Sequence, residues 1–257
     1  MPAKPPPASP TDRLEQLKRE VAREERARRK AERRPRRATR RRPPKERARA
    51  LALAAAGFVA TALVLGALPF YTLIRGAVYL HMHQGVSAWL ALLAGVLASA
   101  ALVTLYGVRL AGRVKGGVPV RAVAMRFAVP LVTFYAVYCL VYLSSTNVKE
   151  PAERAYYRSV HPLLRVALAT VVLADRDVVV TDLQRRPADY ARMGLRSADE
   201  SLHYRQRDGY VHAVDLRTAG RGWVRNTLVA LYFRAMGFRT LRHVGTADHL
   251  HVALPAR

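Results

Sequence analysis

The chain has 257 residues, 51% of them hydrophobic, with 43 Lys and Arg against 18 Asp and Glu and a single cysteine. One thiol excludes a disulfide scaffold, and the length allows a sizeable core in one or two domains. A mean hydropathy of −0.02 hides a strong segregation: residues 1–50 hold 19 basic and 7 acidic side chains, residues 51–144 hold 6 and none, and residues 145–257 hold 18 and 11.

Residues 1–50 open with MPAKPPPASP, continue through a Glu/Arg/Lys/Ala-rich stretch and end in RRPRRATRRRPPKERARA. With so few large apolar residues this arm cannot bury enough surface to offset chain entropy. Helical spacing of Glu and Arg predicts a solvated helix over 11–34, stopped by Pro35, Pro43 and Pro44. Its charge fits a nucleic-acid arm or a cytoplasmic topogenic segment that also touches anionic lipid.

The next block decides between them. Residues 51–74 carry no ionised side chain over 24 positions, enough to cross about 30 Å of hydrocarbon. Similar runs cover 86–108 and 127–148, with Trp89, Tyr71, Tyr106, Tyr138 and Tyr142 near their ends, as interfacial aromatics are. The first run begins too late and is too long for a cleaved signal peptide. Three spans that stay in the mature protein are therefore expected. The 19 basic residues ahead of the first span, and Arg109, Arg113, Lys115, Arg121 and Arg126 around the second connection, predict a cytoplasmic N-terminus and an external C-terminal domain in a multi-pass protein of the cytoplasmic membrane. Topology then accounts for most of the arm's charge and weighs against nucleic acid. No Asp or Glu lies between 51 and 144, which argues against an ion or proton pathway and for an anchor. His81 and His83 read as exposed loop residues, and Cys139 as a small apolar packer.

From residue 149 the pattern becomes that of a small water-soluble domain. Pro162 opens a helix with an apolar face through Leu173; DVVVTD at 177–182 reads as a strand, followed by a polar loop through Glu200. GYVHAVDL at 209–216 is a second strand, VRNTLVALYFRAMGF at 224–238 a helix ending near Gly237, and HLHVAL at 249–254 a last strand. This order predicts an α+β fold with an antiparallel sheet.

Two clusters in this domain carry chemistry: His203 with Asp215, and Asp248 with His251. Histidine and carboxylate are zinc ligands, and three of them plus a water make a catalytic site. His249 and His251, two apart on a strand, share a face, so Asp248 must reach the site from the preceding turn.

DESLHY at 199–204, GYVHAVDL at 209–216 and TADHLHVAL at 246–254 resemble the motifs of the zinc D-alanyl-D-alanine carboxypeptidase superfamily, which includes the hedgehog signalling domain. The resemblance covers about residues 155–254. It implies His203, Asp215 and His251 as Zn2+ ligands, Asp248 as general base, and Ser201 and His249 as supporting residues. The family separates its first His and Asp by six residues, whereas eleven lie between His203 and Asp215, as if RQRDG or its neighbours were inserted. A loop absorbs five residues at small entropic cost. His212 is the rival ligand, but three before Asp215 on a strand it should face the other way. The family also places an arginine after its first strand to hold a substrate carbonyl or carboxylate. Gln184 stands near that place here, with Arg185 and Arg186 just beyond, and Arg185 is the candidate.

The expectation is a membrane-anchored zinc metallopeptidase acting on peptidoglycan stem peptides. Two alternatives stay open: a catalytically silent zinc-binding module that recognises wall peptides or a partner protein, and a membrane scaffold with a basic arm.

Overall fold

The computed structural model describes residues 10–38, 44–115, 117, 119–192, 201–245 and 248–255. Asp199, Glu200, Thr246 and Ala247 of the sequence motifs lie outside the described residues. The chain divides into two compact units, Met1–Ala62 and Leu63–Arg257.

Helix α1 covers Pro10–Ala38 and α2 covers Pro44–Gln84. The first helix passes Pro35 instead of stopping there, since a lone proline removes one amide and need only bend a helix. Pro44 does mark a boundary, as the first residue of α2. Helix α3 is Ala88–Lys115; α4 is Val120–Val123, followed by a π-helical turn at Ala124–Ala128 and by α5 at Val129–Val141. Three stretches, Ala48–Gln84, Ala88–Arg113 and Val120–Val141, are long and apolar enough to cross a membrane. The first is longer than the run read from composition, about 55 Å at 1.5 Å per residue. The third starts and ends earlier, because the chain turns extended at Tyr142.

Within Leu63–Arg257 one apolar core runs across residue 148 without a break. Leu73, Ile74, Ala77 and Val78 of α2 are buried in the same cluster as Val132 and Cys139 of α5 and most of α7, Pro162–Ala174. Gly95 lets α3 approach α2 closely, since a Cβ there would lie 2.5 Å from the Leu73 carbonyl oxygen. Polar ties cross the same boundary: Tyr157 Oη donates to the carbonyls of Cys139 and Arg165, and Arg165 Nη1 donates to Leu140 O at 2.6 Å. Asn147 Nδ2 donates to the carbonyls of Arg176 and Val178, both at 2.8 Å, fixing the chain after α5 against the start of the sheet.

Short helix α6, Pro151–Ala155, leads to α7. The sheet has four antiparallel strands in the order β1 (Val180–Asp182), β2 (Ala213–Arg217), β4 (His249–Ala253), β3 (Arg239–His243). Between β1 and β2 lies α8, Pro187–Arg192, and between β2 and β3 lies α9, Trp223–Met236. Alternation puts Val214, Leu216, Leu250 and Val252 into the core on one face, and Asp215, His249 and His251 on the other. Gly237, with φ +98, caps α9 in the left-handed conformation that glycine adopts without penalty.

The α+β class and antiparallel sheet agree with the sequence reading, while several local expectations do not. The strand expected at 177–182 begins only at Val180, after a turn at 176–177. His81 and His83 belong to the last turn of α2, with His81 partly buried, instead of an exposed loop. The strand expected at 209–216 begins only at Ala213, because Gln206–Tyr210 form a tight turn with Gly209 at φ +82. Strand β3 was not expected: RTLRH is an exposed edge strand without apolar alternation. Helix α8 lies in what reads as a polar loop.

Candidate metal centre

β2 and β4 pair with Asp215 directly opposite His251, so their side chains meet on the open face of the sheet. His203 reaches them from the turn at 201–204. Its Nε2 lies 3.3 Å from both His251 Nδ1 and Asp215 Oδ1, and His251 Nδ1 lies 2.8 Å from Asp215 Oδ1. Zinc bonded to nitrogen and oxygen at about 2.0–2.1 Å in a tetrahedron separates its ligand atoms by about 3.3–3.4 Å. The three donors thus stand nearly as such an ion requires.

The surroundings also fit. His203 Nδ1–H donates to Leu183 O at 3.0 Å, which aims Nε2 at the group, where its lone pair serves an ion once the proton shared with Asp215 is displaced, the arrangement that orients metal-bound imidazoles. The Leu183 amide is itself held by Glu153 Oε2 at 2.9 Å. Burial pushes the Glu153 carboxyl above its usual range, against the lowering effect of that amide.

Asp215 is 2% exposed and divides its oxygens. Oδ1 faces the two imidazoles, while Oδ2 accepts from Arg185 Nη2 at 2.7 Å and lies 3.7 Å from His249 Nε2. Burial alone would raise its pKa; hydrogen bonds from His203 and His251 outweigh that and hold the carboxyl far below the usual range. The converse holds for His203, which burial would lower and Asp215 raises.

Arg185 also donates through Nε to Asp182 and through Nη1 to Tyr190 Oη at 3.5 Å, so the guanidinium expected to hold a substrate carboxylate is engaged through three of its five N–H groups with carboxylates and a phenol of this chain. Ser201 Oγ accepts the His203 amide at 3.3 Å and pairs with Tyr190 Oη at 2.6 Å. Ser201, Tyr190 and Arg185 form one chain from the His203 turn to Asp215.

The structure thus brings together His203, Asp215, His251, Arg185, Ser201 and His249. It does not bring Asp248 to them. The strand parity that aims His249 and His251 at the group aims Asp248 the other way, where its carboxylate pairs with Arg242 Nη2 at 2.9 Å. Arg242 holds that carboxyl below its usual pKa.

His243 was not singled out by sequence. The β3–β4 register sets it opposite His249, with the rings stacked at 4.7 Å, and its centroid is 6.4 Å from that of His251. The missing signal was β3 itself.

His212 occupies a different group. It faces the opposite side of β2 from Asp215, with Nε2 2.8 Å from Asp208 Oδ2, and His161 Nε2 lies 3.8 Å from the same oxygen. Burial, with His212 and His81 adding to it, pushes His161 down to about 3, so the ring is neutral. The turn between His203 and β2 explains the division. Gln206 N donates to Tyr210 O at 2.8 Å and His212 N to Leu202 O at 2.9 Å, so the loop closes on itself and returns the chain to β2 beside His203. Among the described residues, His203–Asp215–His251 and His161–Asp208–His212 are the two groups of donors that could hold a metal ion.

No family model, no curated protein and no solved structure matches this chain.

Proposed function

We propose that the chain is a membrane-anchored zinc metallopeptidase that hydrolyses short peptides outside the cytoplasmic membrane, with peptidoglycan stem peptides as its substrates. One observation carries the proposal: His203 Nε2, Asp215 Oδ1 and His251 Nδ1 converge within 2.8–3.3 Å of one another. The motif resemblance over 199–254 supports the reaction class, and the basic residues flanking the three apolar helices support the external location.

Zinc in this group would polarise the scissile carbonyl and lower the pKa of a water to about 7. Arg185 fixes the carboxylate plane of Asp215, and Leu183 O fixes the ring of His203, so the ligands are set before substrate arrives. Hydrolysis adds the hydroxyl of water to the carbonyl carbon and leaves a proton for the departing amine. Asp248 accepts and returns that proton, for which it must exchange Arg242 for the open face of the sheet. His249 and His243 border the same face and offer N–H groups to a substrate oxygen.

The engagement of Asp248 with Arg242 favours a second reading, a zinc module that binds wall peptides without cleaving them. Full-length protein in detergent, loaded with zinc, should release D-alanine or shorter stems from peptides ending in two D-alanines. Asp248→Asn should keep its metal and lose about 10²–10⁴-fold in rate. Metal-loaded wild type without turnover on any stem peptide selects the silent module.

A further inference from the structure

The group at His161 owes nothing to the proposed reaction. His161 caps α7, Asp208 sits in the tight turn of 205–211, and His212 stands just before β2, so three separate segments converge. His161 is fully buried, and its Nε2 has no hydrogen-bond partner although it points toward Asp208 Oδ2 3.8 Å away. A buried ring nitrogen without a partner is costly and calls for an explanation. Asp208 is aimed as well: Oδ1 accepts the Tyr210 amide at 3.0 Å, which turns Oδ2 toward His212 Nε2 at 2.8 Å. The rings of His81 and Tyr210, 5.0 and 5.8 Å from that of His161, wall the group.

We propose that His161, Asp208 and His212 form a second divalent-cation site, structural in role, that takes zinc or a similar first-row ion. Two imidazole nitrogens and one carboxylate oxygen suit such an ion, whereas calcium and magnesium prefer oxygen alone. The separations of 2.8 and 3.8 Å bracket the edge of a zinc tetrahedron, about 3.3–3.4 Å. The ion would pin the 205–211 turn, which places His203 beside β2, to the start of α7. Binding at Nε2 moves the ring hydrogen of His161 to Nδ1 and ends the 3.3 Å contact that Nδ1 accepts from the Leu163 amide. One long amide contact is exchanged for a metal–nitrogen bond.

The test is metal stoichiometry of the full chain in detergent, stripped by chelator and reloaded with zinc. Wild type should hold two ions, Asp208→Asn and His212→Gln one each, and His203→Ala one. Asn keeps the acceptor for the Tyr210 amide, so its effect does not come from a broken turn. A wild type that saturates at one ion, lost in His203→Ala and kept in Asp208→Asn, overturns the inference. One ion lost in Asp208→Asn and kept in His203→Ala leaves this inference standing and removes the proposed peptidase centre.

Discussion

Two groups of identical composition, each two histidines and one aspartate, differ in what surrounds the carboxylate. Asp215 is 2% exposed and gripped by Arg185, with His249 and His251 partly open to solvent beside it. Asp208 has a side chain 40% exposed and is held by one backbone amide, while its two imidazoles are buried. The first group buries its carboxylate and His203 and leaves His251 partly open on the uncovered face of the sheet. The second buries both rings and leaves its carboxylate half open. Donor type is the same in both; what differs is which donor meets solvent, an imidazole in the first and the carboxylate in the second.

Removing the two carboxylates sharpens that contrast most. Asp215→Ala takes from Arg185 one of its two carboxylate partners and from His203 and His251 the oxygen they share, in a buried site, and should cost about 3–5 kcal/mol in metal-free protein, read by chemical denaturation. Asp208→Ala, at a half-open position, should cost about 0–1 kcal/mol under the same conditions. Equal losses would mean that the burial difference has no energetic content.

Arg185→Lys probes a smaller effect. Lysine keeps the charge but not the planar fork that reaches Asp182 and Asp215 together, so zinc affinity of the first group should fall about 10–100-fold with the second unaffected. Parallel losses in both groups would show that the substitution disturbs the domain as a whole.

The smallest effect is that of pH. The raised pKa of His203 gives stability that is whole below about 6.5 and fades as pH rises through the folded value. The depressed pKa of Asp215 gives stability that is whole above about 3.9 and is lost as pH falls through its folded value. Metal-free protein should therefore lose stability as pH rises above about 6.5, while zinc affinity rises over the same range because the ion displaces the bound protons. Melting curves with and without chelator check both slopes.

Much of this was legible in sequence because it depends on period and parity. Alternation placed His249 and His251 on one face and turned His212 away from Asp215. The same parity carries Asp248 away from the group, a consequence that its position three before His251 concealed. The His161 group was not legible, since 47 positions separate His161 from Asp208 in the chain and only the fold of the 205–211 turn brings them together. Nor was the burial of α2 beyond Leu73: composition marks a run as apolar without saying whether lipid or protein covers it.

The central claim is that His203, Asp215 and His251 hold a catalytic zinc. X-ray absorption at the zinc edge, on full-length Asp208→Asn loaded with one ion, tests it most directly. Four-coordinate zinc with two imidazole nitrogens, one carboxylate oxygen and one further oxygen, displaced by a peptide inhibitor bearing a zinc-binding group, is the predicted result. A variant that retains no zinc, or zinc without imidazole in its shell, would contradict it.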